Sequence, residues 1–284
     1  MTDGLDLAEV ERVVYTALAE DLGDPPRDVT SEATIPGDQV DAAELVARAD
    51  GVVAGLPVAA QVFAATSGGT ARFEQRAAEG DRVRRGDVLA VVSGPTRSLL
   101  TAERTALNLI SRMSGVATHT RRWADALAGS KATVLDTRKT TPGLRSLEKY
   151  AVRVGGGTNK RMGLYDVAMV KDNHKLAAGS ITAAYRLIRE RFPDVPVQVE
   201  VTTLAEAEEA VEAGATFLLC DNMTPDLLRE VVAAVGERAE LEATGNLTLQ
   251  TAEAYAATGV DYLSVGGLTH SSPILDIAMD LRPR

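Results

Sequence analysis

The sequence lacks several of the residues and motifs that many enzyme classes require. Its 284 residues include one cysteine, Cys220, so an intramolecular disulfide and a cysteine-built metal site are excluded. It contains no HExxH, Gly-x-Ser-x-Gly or Walker sequence, which argues against zinc proteases, serine hydrolases and P-loop enzymes. No apolar run reaches the roughly 18–20 residues that span a bilayer, and the acidic start MTDGLDLAEVE does not resemble a signal peptide. We therefore expect a cytoplasmic protein without a membrane partner.

Negative charge exceeds positive charge in the sequence as a whole, but one segment is strongly basic. The formal net charge is -10, which argues against nucleic acid as a partner. Residues 136–175 nevertheless contain nine Lys and Arg against four Asp and Glu, a local net charge of +5. All six lysines lie between positions 131 and 175. This segment either binds a small anion, for which a compact ammonium is suited, or is a chance cluster on a solvated face.

The first part of the sequence predicts a mixed α/β domain. Residues 5–22 have the apolar spacing of a helix that ends before Gly23 and Pro25. Four short β-type runs follow between residues 40 and 95: AAELVARA, GVVAGLPV, ARFEQRA and DVLAVVSG. Residues 96–114 predict a second helix that ends at Gly115. The N-terminal domain is therefore expected to span residues 1–114, and residues 274–284 are expected to return to it.

Residues 115–273 predict a parallel α/β domain, because strands alternate with helical patterns. The helical patterns lie at 204–214, 224–236 and 248–259. A closed or partly closed barrel fits this series better than a doubly wound sheet, which stays the alternative. The predicted strands are 133–137, 167–172, 197–201, 217–221, 241–244 and 262–266.

Polar or glycine residues end every predicted strand. In chain order they are Asp136–Lys139, Lys171–Asp172, Glu200, Asp221, Thr244–Asn246 and Gly266–Gly267. In a barrel all carboxyl ends open on one face, where the active site is built. We therefore expect Arg138, Lys139 and Lys171 to lie at one mouth beside Glu200 and Asp221.

The two acids of this mouth have two interpretations. In the first, Glu200 and Asp221 bind Mg²⁺ or ribose hydroxyls, since magnesium prefers one or two protein carboxylates plus phosphates and waters. In the second, they form salt bridges with the lysines. Glycines after the last two strands allow a phosphate to approach the backbone, although glycine also serves ordinary turns. His174 either faces the site or orders its own loop, and His119, in a helical segment, is expected either at the surface or in packing.

Several segments are distinctive: LDTRKTTPGLRSLEKYAVRVGGGTN (135–159), KRMGLYDVAMVKDNH (160–174), LLCDNM (218–223), LEATGN (241–246) and TGVDYLSVGGLTHS (258–271). With LTAERTALNLISRMSG (100–115) and VEV (199–201), they closely resemble quinolinate phosphoribosyltransferases, the carboxylating nicotinate-nucleotide pyrophosphorylases of NAD biosynthesis. The resemblance implies an α/β fold, with an N-terminal α/β sandwich domain and a C-terminal, incompletely closed α/β (TIM-like) barrel. It also implies a homodimer in which each N-terminal domain completes the partner's site.

The activity implied by the resemblance is phosphoribosyl transfer from phosphoribosyl pyrophosphate to quinolinate, with Mg²⁺ and with loss of CO2. The implied catalytic residues are Lys139, Lys171, Glu200 and Asp221, of which Glu200 and Asp221 are also the metal ligands. Arg104 matches an arginine that reaches the other subunit's site. Further substrate-binding residues are Arg138, Lys160, Arg161, Thr244, Gly245, Asn246, Gly266, Gly267 and His270.

One position departs from the family pattern. The family usually has Asn-His-Arg where this sequence has Asn159-Lys160-Arg161. Lys160 either replaces the histidine as a carboxylate donor, turns away, or signals a paralogue with another acidic acceptor, such as the molybdenum-associated relatives. A different class, a lipoyl- or biotinyl-type carrier module at residues 40–95, is disfavoured because no lysine precedes Lys131.

Overall fold

The computed structural model describes residues 4–282. Its helices are α1 (Leu7–Leu22), α2 (Val29–Thr34), α3 (Leu56–Ser67), α4 (Thr96–Ala126), α5 (Arg145–Val154), α6 (Asp172–Ala178), α7 (Ile181–Arg191), α8 (Leu204–Glu212), α9 (Pro225–Val235), α10 (Ala252–Ala256) and α11 (Gly267–His270). Its strands are β1 (Val40–Ala47), β2 (Gly51–Val52), β3 (Arg72–Gln75), β4 (Arg82–Val83), β5 (Val88–Pro95), β6 (Thr133–Leu135), β7 (Ala168–Val170), β8 (Val197–Val201), β9 (Phe217–Asp221), β10 (Glu240–Thr244), β11 (Tyr262–Ser264) and β12 (Ile277–Leu281). Among residues 4–282, no helix combines the length and the apolar character that a membrane span requires.

The chain forms two compact units. Unit 1 comprises the described residues up to Arg121, Thr140–Gly156 and the described residues from Thr269, and unit 2 comprises Arg122–Lys139 and Gly157–Leu268. Residues 115–121, 140–156 and 269–273, which the sequence analysis assigns to the barrel, therefore lie in unit 1. Helix α5 is held there by polar contacts, since Glu148 pairs with Arg112 at 2.7 Å and the Tyr150 hydroxyl donates to Glu79.

Unit 1 contains a four-stranded antiparallel sheet in the order β12-β1-β5-β3 and a small β2-β4 pair. Helix α1 begins where the Asp6 carboxylate accepts the N–H groups of Ala8 and Glu9, which satisfies donors that a helix leaves unpaired. It ends at Leu22, before Gly23, as predicted. Strand β12 pairs with β1, with Ala43 opposite Leu281, so the described chain end belongs to this sheet.

Two predictions in unit 1 are wrong. The run GVVAGLPV forms a strand only at Gly51–Val52, because Leu56 begins helix α3, whose first N–H groups are capped by the carboxylate of Glu79. Helix α4 does not end at Gly115 but continues to Ala126. A β-carbon at Gly115 would lie 2.1 Å from the Pro273 carbonyl oxygen. Glycine is therefore present at this position for close packing and does not end the helix.

Unit 2 is a six-stranded parallel sheet in the order β6-β11-β10-β9-β8-β7. All six predicted strands form, and the α/β fold class with an incompletely closed barrel is confirmed. Among the described residues no ladder joins β6 to β7, and Thr158 makes an isolated parallel bridge with Leu135 of β6. Helices α8, α9 and α10 lie within the three predicted helical segments, whereas α5, α6 and α7 were not predicted.

Candidate active site

One cavity of about 290 Å³ lies at the carboxyl ends of the parallel strands of unit 2. Its position follows from the topology, because all carboxyl ends of a parallel barrel open on one face. Every one of the six strands contributes to it, either through its last residues or through those that follow. The lining residues are Thr137, Arg138, Lys139, Lys160, Arg161, Met169, Lys171, Glu200, Leu219, Asp221, Thr244 and Ser264.

The cavity is strongly cationic. Five of its lining residues are Lys or Arg, against the two carboxylates of Glu200 and Asp221. Three of the cations come from the ends of β6 and β7, and two, Lys160 and Arg161, come from the segment that follows Thr158. Burial lowers the pKa of Arg161, and the nearby Arg138 lowers it further. This concentration of like charge is costly for the protein alone and is suited to a polyanionic ligand.

Lys171 and Glu200 form an ion pair within the cavity. Lys171 Nζ lies 2.8 Å from Glu200 Oε2. Asp221 is the acceptor for the side-chain amide of Asn222 at 2.9 Å. The salt-bridge interpretation of Glu200 is therefore correct in the present structure, and it does not exclude a role for the same carboxylate toward a ligand.

A buried polar group lies beneath the cavity. Lys160 Nζ donates to Glu242 Oε1 at 2.6 Å, and Gln198 Nε2 donates to Glu242 Oε2 at 2.6 Å. The Glu242 and Gln198 side chains are fully buried. Burial lowers the pKa of Lys160, and Glu242 opposes this shift. Lys160 does not turn away from the cavity but lines it.

A second buried acid holds the backbone of the same segment. Asp136, fully buried, accepts the Asn159 side-chain amide at 2.6 Å and the Lys160 N–H at 2.8 Å. The Arg161 guanidinium donates to the Val167 carbonyl at 3.0 Å. The segment from Asn159 to Arg161 is therefore fixed at both backbone and side chain.

Sequence reasoning did not select Gln198 or Glu242 as site residues, and it named Asp136 only as a polar residue at a strand end. The available signal was the alternation in VQVEV and ELEAT, where polar residues recur every second position within otherwise apolar strands. Because side chains alternate across a strand, Gln198 and Glu200 share one face of β8, and Glu242 and Thr244 share one face of β10. On a sheet whose opposite face carries helices, that shared face is the barrel interior.

The loops after β9 and β10 contact each other and contain residues with positive φ angles. Asn222 and Asn246 have φ values of 54° and 51°, and Gly245 has a φ of 98°. The Asn222 N–H donates to the Thr244 carbonyl at 2.9 Å. A β-carbon on Gly245 would lie 2.1 Å from Asn222 Oδ1. Only glycine fits at position 245, and asparagine is among the residues that tolerate the left-handed conformation.

Comparison with known proteins identifies the family. Residues 28–114 match the model of the quinolinate phosphoribosyl transferase N-terminal domain, and residues 116–280 match that of its C-terminal domain. The chain belongs to the quinolinate phosphoribosyltransferase family. The match over residues 28–114 also replaces the carrier-module interpretation of residues 40–95.

Relatives of this quinolinate phosphoribosyltransferase family member match along nearly the whole chain. A nicotinate-nucleotide pyrophosphorylase (carboxylating) of Mycobacterium leprae is 46% identical over 272 residues, covering 94% of this chain and 95% of the relative. A probable nicotinate-nucleotide pyrophosphorylase (carboxylating) of Bacillus subtilis is 41% identical, with coverage of 96% and 93%. The crystal structure of NadC from Streptococcus pyogenes superimposes with a TM-score of 0.93 at 38% identity, covering 98% of both chains.

The remaining family-implied residues lie outside the cavity lining. Gly266 and Gly267 follow β11 two and three residues after Ser264. Arg104 is exposed on α4, and His270 is exposed with its Nδ1 atom 2.5 Å from Ser271 Oγ; both belong to unit 1. His174 orders its own loop, since its Nδ1 accepts the Lys171 N–H at 3.0 Å. The substrate roles of these family positions stay predictions.

The acids of the cavity are suited to a metal ion only together with further ligands. Among residues 4–282 no group of three or more His, Cys, Asp and Glu side chains is arranged to hold a metal ion by itself. Glu200 and Asp221 nevertheless lie on neighbouring strands and line the same cavity. Two carboxylates combined with substrate phosphates are a typical magnesium environment. The donor set therefore fits Mg²⁺ that arrives with a phosphate-bearing substrate.

Proposed function

We propose that this protein transfers a phosphoribosyl group from phosphoribosyl pyrophosphate to quinolinate and releases pyrophosphate, CO2 and nicotinate mononucleotide. This is a pentosyltransferase step of de novo NAD biosynthesis. The observation that carries the proposal is a cavity lined by five cations and two carboxylates, in a chain that belongs to the family. The relatives described above give no support to an altered-acceptor paralogue, so that alternative is not proposed.

Electrostatics is the main contribution of the cavity to the reaction. Quinolinate carries two carboxylates and its partner carries a diphosphate and a phosphate, so the two substrates repel each other in water. Preorganised ammonium and guanidinium groups offset this repulsion, and holding the ring nitrogen near the ribose C1 converts an encounter into an intramolecular step. Lys139 and Lys171 are proposed as the catalytic cations, with Arg138 and Arg161 binding carboxylates or phosphates.

The bond changes need no protein nucleophile. The bond from C1 to the diphosphate oxygen breaks and a bond from C1 to the pyridine nitrogen forms, through an oxocarbenium-like transition state. The carboxylate next to the ring nitrogen then leaves as CO2. Its bonding electrons stay on the ring carbon, where the positively charged ring stabilises them until a proton is taken up. The cavity residues bind and orient the reacting groups during both steps.

Magnesium is proposed as the cofactor, with Glu200 and Asp221 as its protein ligands. When bound, it would neutralise part of the charge on the departing diphosphate. The two glycine-containing loops, Thr244–Asn246 and Gly266–Gly267, are proposed to surround the 5-phosphate. His270 is proposed as a further substrate-binding residue. Lys160 is proposed to contact a carboxylate of the acceptor.

The decisive assay uses purified protein with phosphoribosyl pyrophosphate, Mg²⁺ and quinolinate labelled in the carboxyl group next to the ring nitrogen. We expect equal amounts of nicotinate mononucleotide and labelled CO2. A parallel reaction with nicotinate tests for a simpler transferase. Product from nicotinate but not from quinolinate would overturn the proposed acceptor, and no product from either would overturn the proposed function.

A homodimer in the cytoplasm is proposed as the working form, with Arg104 reaching the partner's site. Subunit mixing tests this arrangement. Inactive Arg104→Ala and inactive Lys171→Ala chains, mixed and allowed to exchange, should recover about a quarter of the wild-type activity, because half of the dimers then hold one intact site of two. No recovery, although mass spectrometry shows mixed dimers, would place Arg104 in its own chain's site or in none.

A further inference from the structure

Lys160 is held at the cavity through both its backbone and its side chain. Its backbone N–H donates to Asp136 and its ammonium to Glu242. Both acids are fully buried, and they lie on or directly after different strands, β6 and β10. A lysine side chain has a flexible four-carbon stem and a compact charge, so its ammonium occupies one place only where a partner fixes it. Here Glu242 holds the ammonium, and Asp136 holds the backbone from which the side chain extends.

The acid that holds the ammonium is itself fixed. Gln198 Nε2 donates to the second oxygen of Glu242 at 2.6 Å, so the two carboxylate oxygens have different partners. Among the residues that the structure describes, Gln198 Oε1 has no hydrogen-bond partner. The amide is therefore oriented by the carboxylate alone. A fully buried glutamine used in this way fits a role in aiming Glu242.

Glu242 and Gln198 do not line the cavity, whereas Lys160 does. The Lys160 side chain retains 11% of its exposure and that of Glu242 retains none. A ligand in the cavity can therefore contact the ammonium but not the carboxylate beneath it. Any effect of Glu242 on a ligand must pass through Lys160.

We infer that Glu242, oriented by Gln198, is a positioning residue that fixes the Lys160 ammonium at the floor of the cavity, and that it thereby determines the affinity for an aromatic acceptor with two neighbouring carboxylates. The inference rests on the proposed function, since it assigns Lys160 to the acceptor and not to the phosphoribosyl donor. Without the buried carboxylate, the ammonium would lose both its fixed position and its nearest opposite charge. The donor, whose phosphates are assigned to other residues, would be unaffected.

The test compares Glu242→Gln with wild type in steady-state assays and in calorimetric binding of pyridine-2,3-dicarboxylate. Glutamine keeps the shape of glutamate and removes its charge. We expect the acceptor KM and Kd to rise about tenfold or more, since the ammonium loses a charged hydrogen-bond partner, while kcat and the donor KM change less than about threefold. Glu240→Gln is the matched control, because Glu240 lies two residues earlier on the same face of β10 and does not line this cavity; it should leave all four constants unchanged.

A second variant covers the case in which Glu242→Gln does not fold. Gln198→Met keeps the length of the side chain and removes the donor to Glu242, so the acceptor KM should rise in the same direction by a smaller factor. An acceptor KM and Kd within about twofold of wild type in the folded variants, or a fall in kcat alone, would overturn the positioning role. If wild-type protein neither binds nor converts the dicarboxylate, the proposed function fails first, and that result is distinct from an unchanged variant.

Discussion

The Lys171 ammonium lies 2.8 Å from a carboxylate oxygen of Glu200, and the two partners differ sharply in exposure. The lysine side chain is 47% exposed, whereas the glutamate side chain is 9% exposed. A half-exposed lysine contributes little to stability through such a pair. Its exposed position at the cavity instead makes the ammonium available to a ligand.

Replacing Lys171 by Met should therefore separate activity from stability. We expect kcat to fall about 10²- to 10³-fold, as when a preorganised charge that stabilises a transition state is removed. The free energy of unfolding should change by about 1 kcal/mol or less. The matched control is Lys131→Met, because Lys131 forms a similarly exposed pair with Asp261 at 2.9 Å and does not line the cavity. Turnover near wild type in Lys171→Met would remove the residue from the mechanism.

Much of this site was predictable because the carboxyl ends of the strands are recognisable in the sequence. Each barrel strand is an apolar run that ends at a polar or glycine residue, and parallel strands place these ends on one face of the barrel. Arg138, Lys139, Lys171, Glu200 and Asp221 all line one cavity for this reason. The contact between Lys160 and Glu242 could not be predicted, since the residues are 82 positions apart. It depends on where the segment after Thr158 runs beside β6.

The unpredicted helices differ in the signal that their sequences carry. Helix α5 has apolar residues at helical spacing, Leu147, Tyr150, Ala151 and Val154, and helix α7 buries Ile181 and Ala184 at the same spacing, so both could have been predicted. Helix α6 has seven residues and none is buried. The helical residue periodicity that reveals α8 and α9 arises only when one face meets a core and the other meets water. The first condition does not hold for α6, since none of its residues is buried.

Gly245 should tolerate no side chain. Alanine there would combine a φ of 98° with a β-carbon 2.1 Å from Asn222 Oδ1. We expect Gly245→Ala to lower the free energy of unfolding by about 1–3 kcal/mol and to raise the KM for phosphoribosyl pyrophosphate. Gly129→Ala is the control, because Gly129 has a φ of 88° and open space around the added carbon. Equal losses of stability in the two variants would show that the contact with Asn222 has no effect.

Gly115→Ala should destabilise the protein even though alanine is the better helix former. In an exposed helix interior the change would stabilise by about 1 kcal/mol. In α4 the new carbon would lie 2.1 Å from the Pro273 carbonyl oxygen and 2.8 Å from Ile274 Cα, both of them backbone atoms. We expect a net loss of about 1–3 kcal/mol in chemical denaturation. Asn108→Ala, at an exposed position of the same helix, should be neutral or stabilising, and a stabilised Gly115→Ala would contradict the close packing.

Glu79 should make the stability of the protein depend on pH. Its carboxylate accepts the N–H groups of Gly55 and Leu56 and the Tyr150 hydroxyl. Burial raises the pKa of Glu79 above its ordinary value of 4.5, and the three donors only partly oppose this shift. The folded state therefore keeps the proton to a higher pH than the unfolded state. Stability from this group is fully present below pH 4.5 and is lost as the pH rises through the folded-state pKa.

The measurement is the free energy of unfolding at several pH values between 4 and 8 for wild type and Glu79→Gln. Glutamine does not titrate. The free energy of unfolding of wild type minus that of the variant should therefore fall as the pH rises through this window. Tyr150→Phe removes one of the donors that favour the charged carboxylate, which raises the pKa of Glu79 further and extends the decline to higher pH. If this difference stays constant with pH, the hydrogen-bond donors from α3 and α5 fully offset the effect of burial on the pKa of Glu79. The charged carboxylate would then cap α3 at neutral pH without lowering the free energy of unfolding.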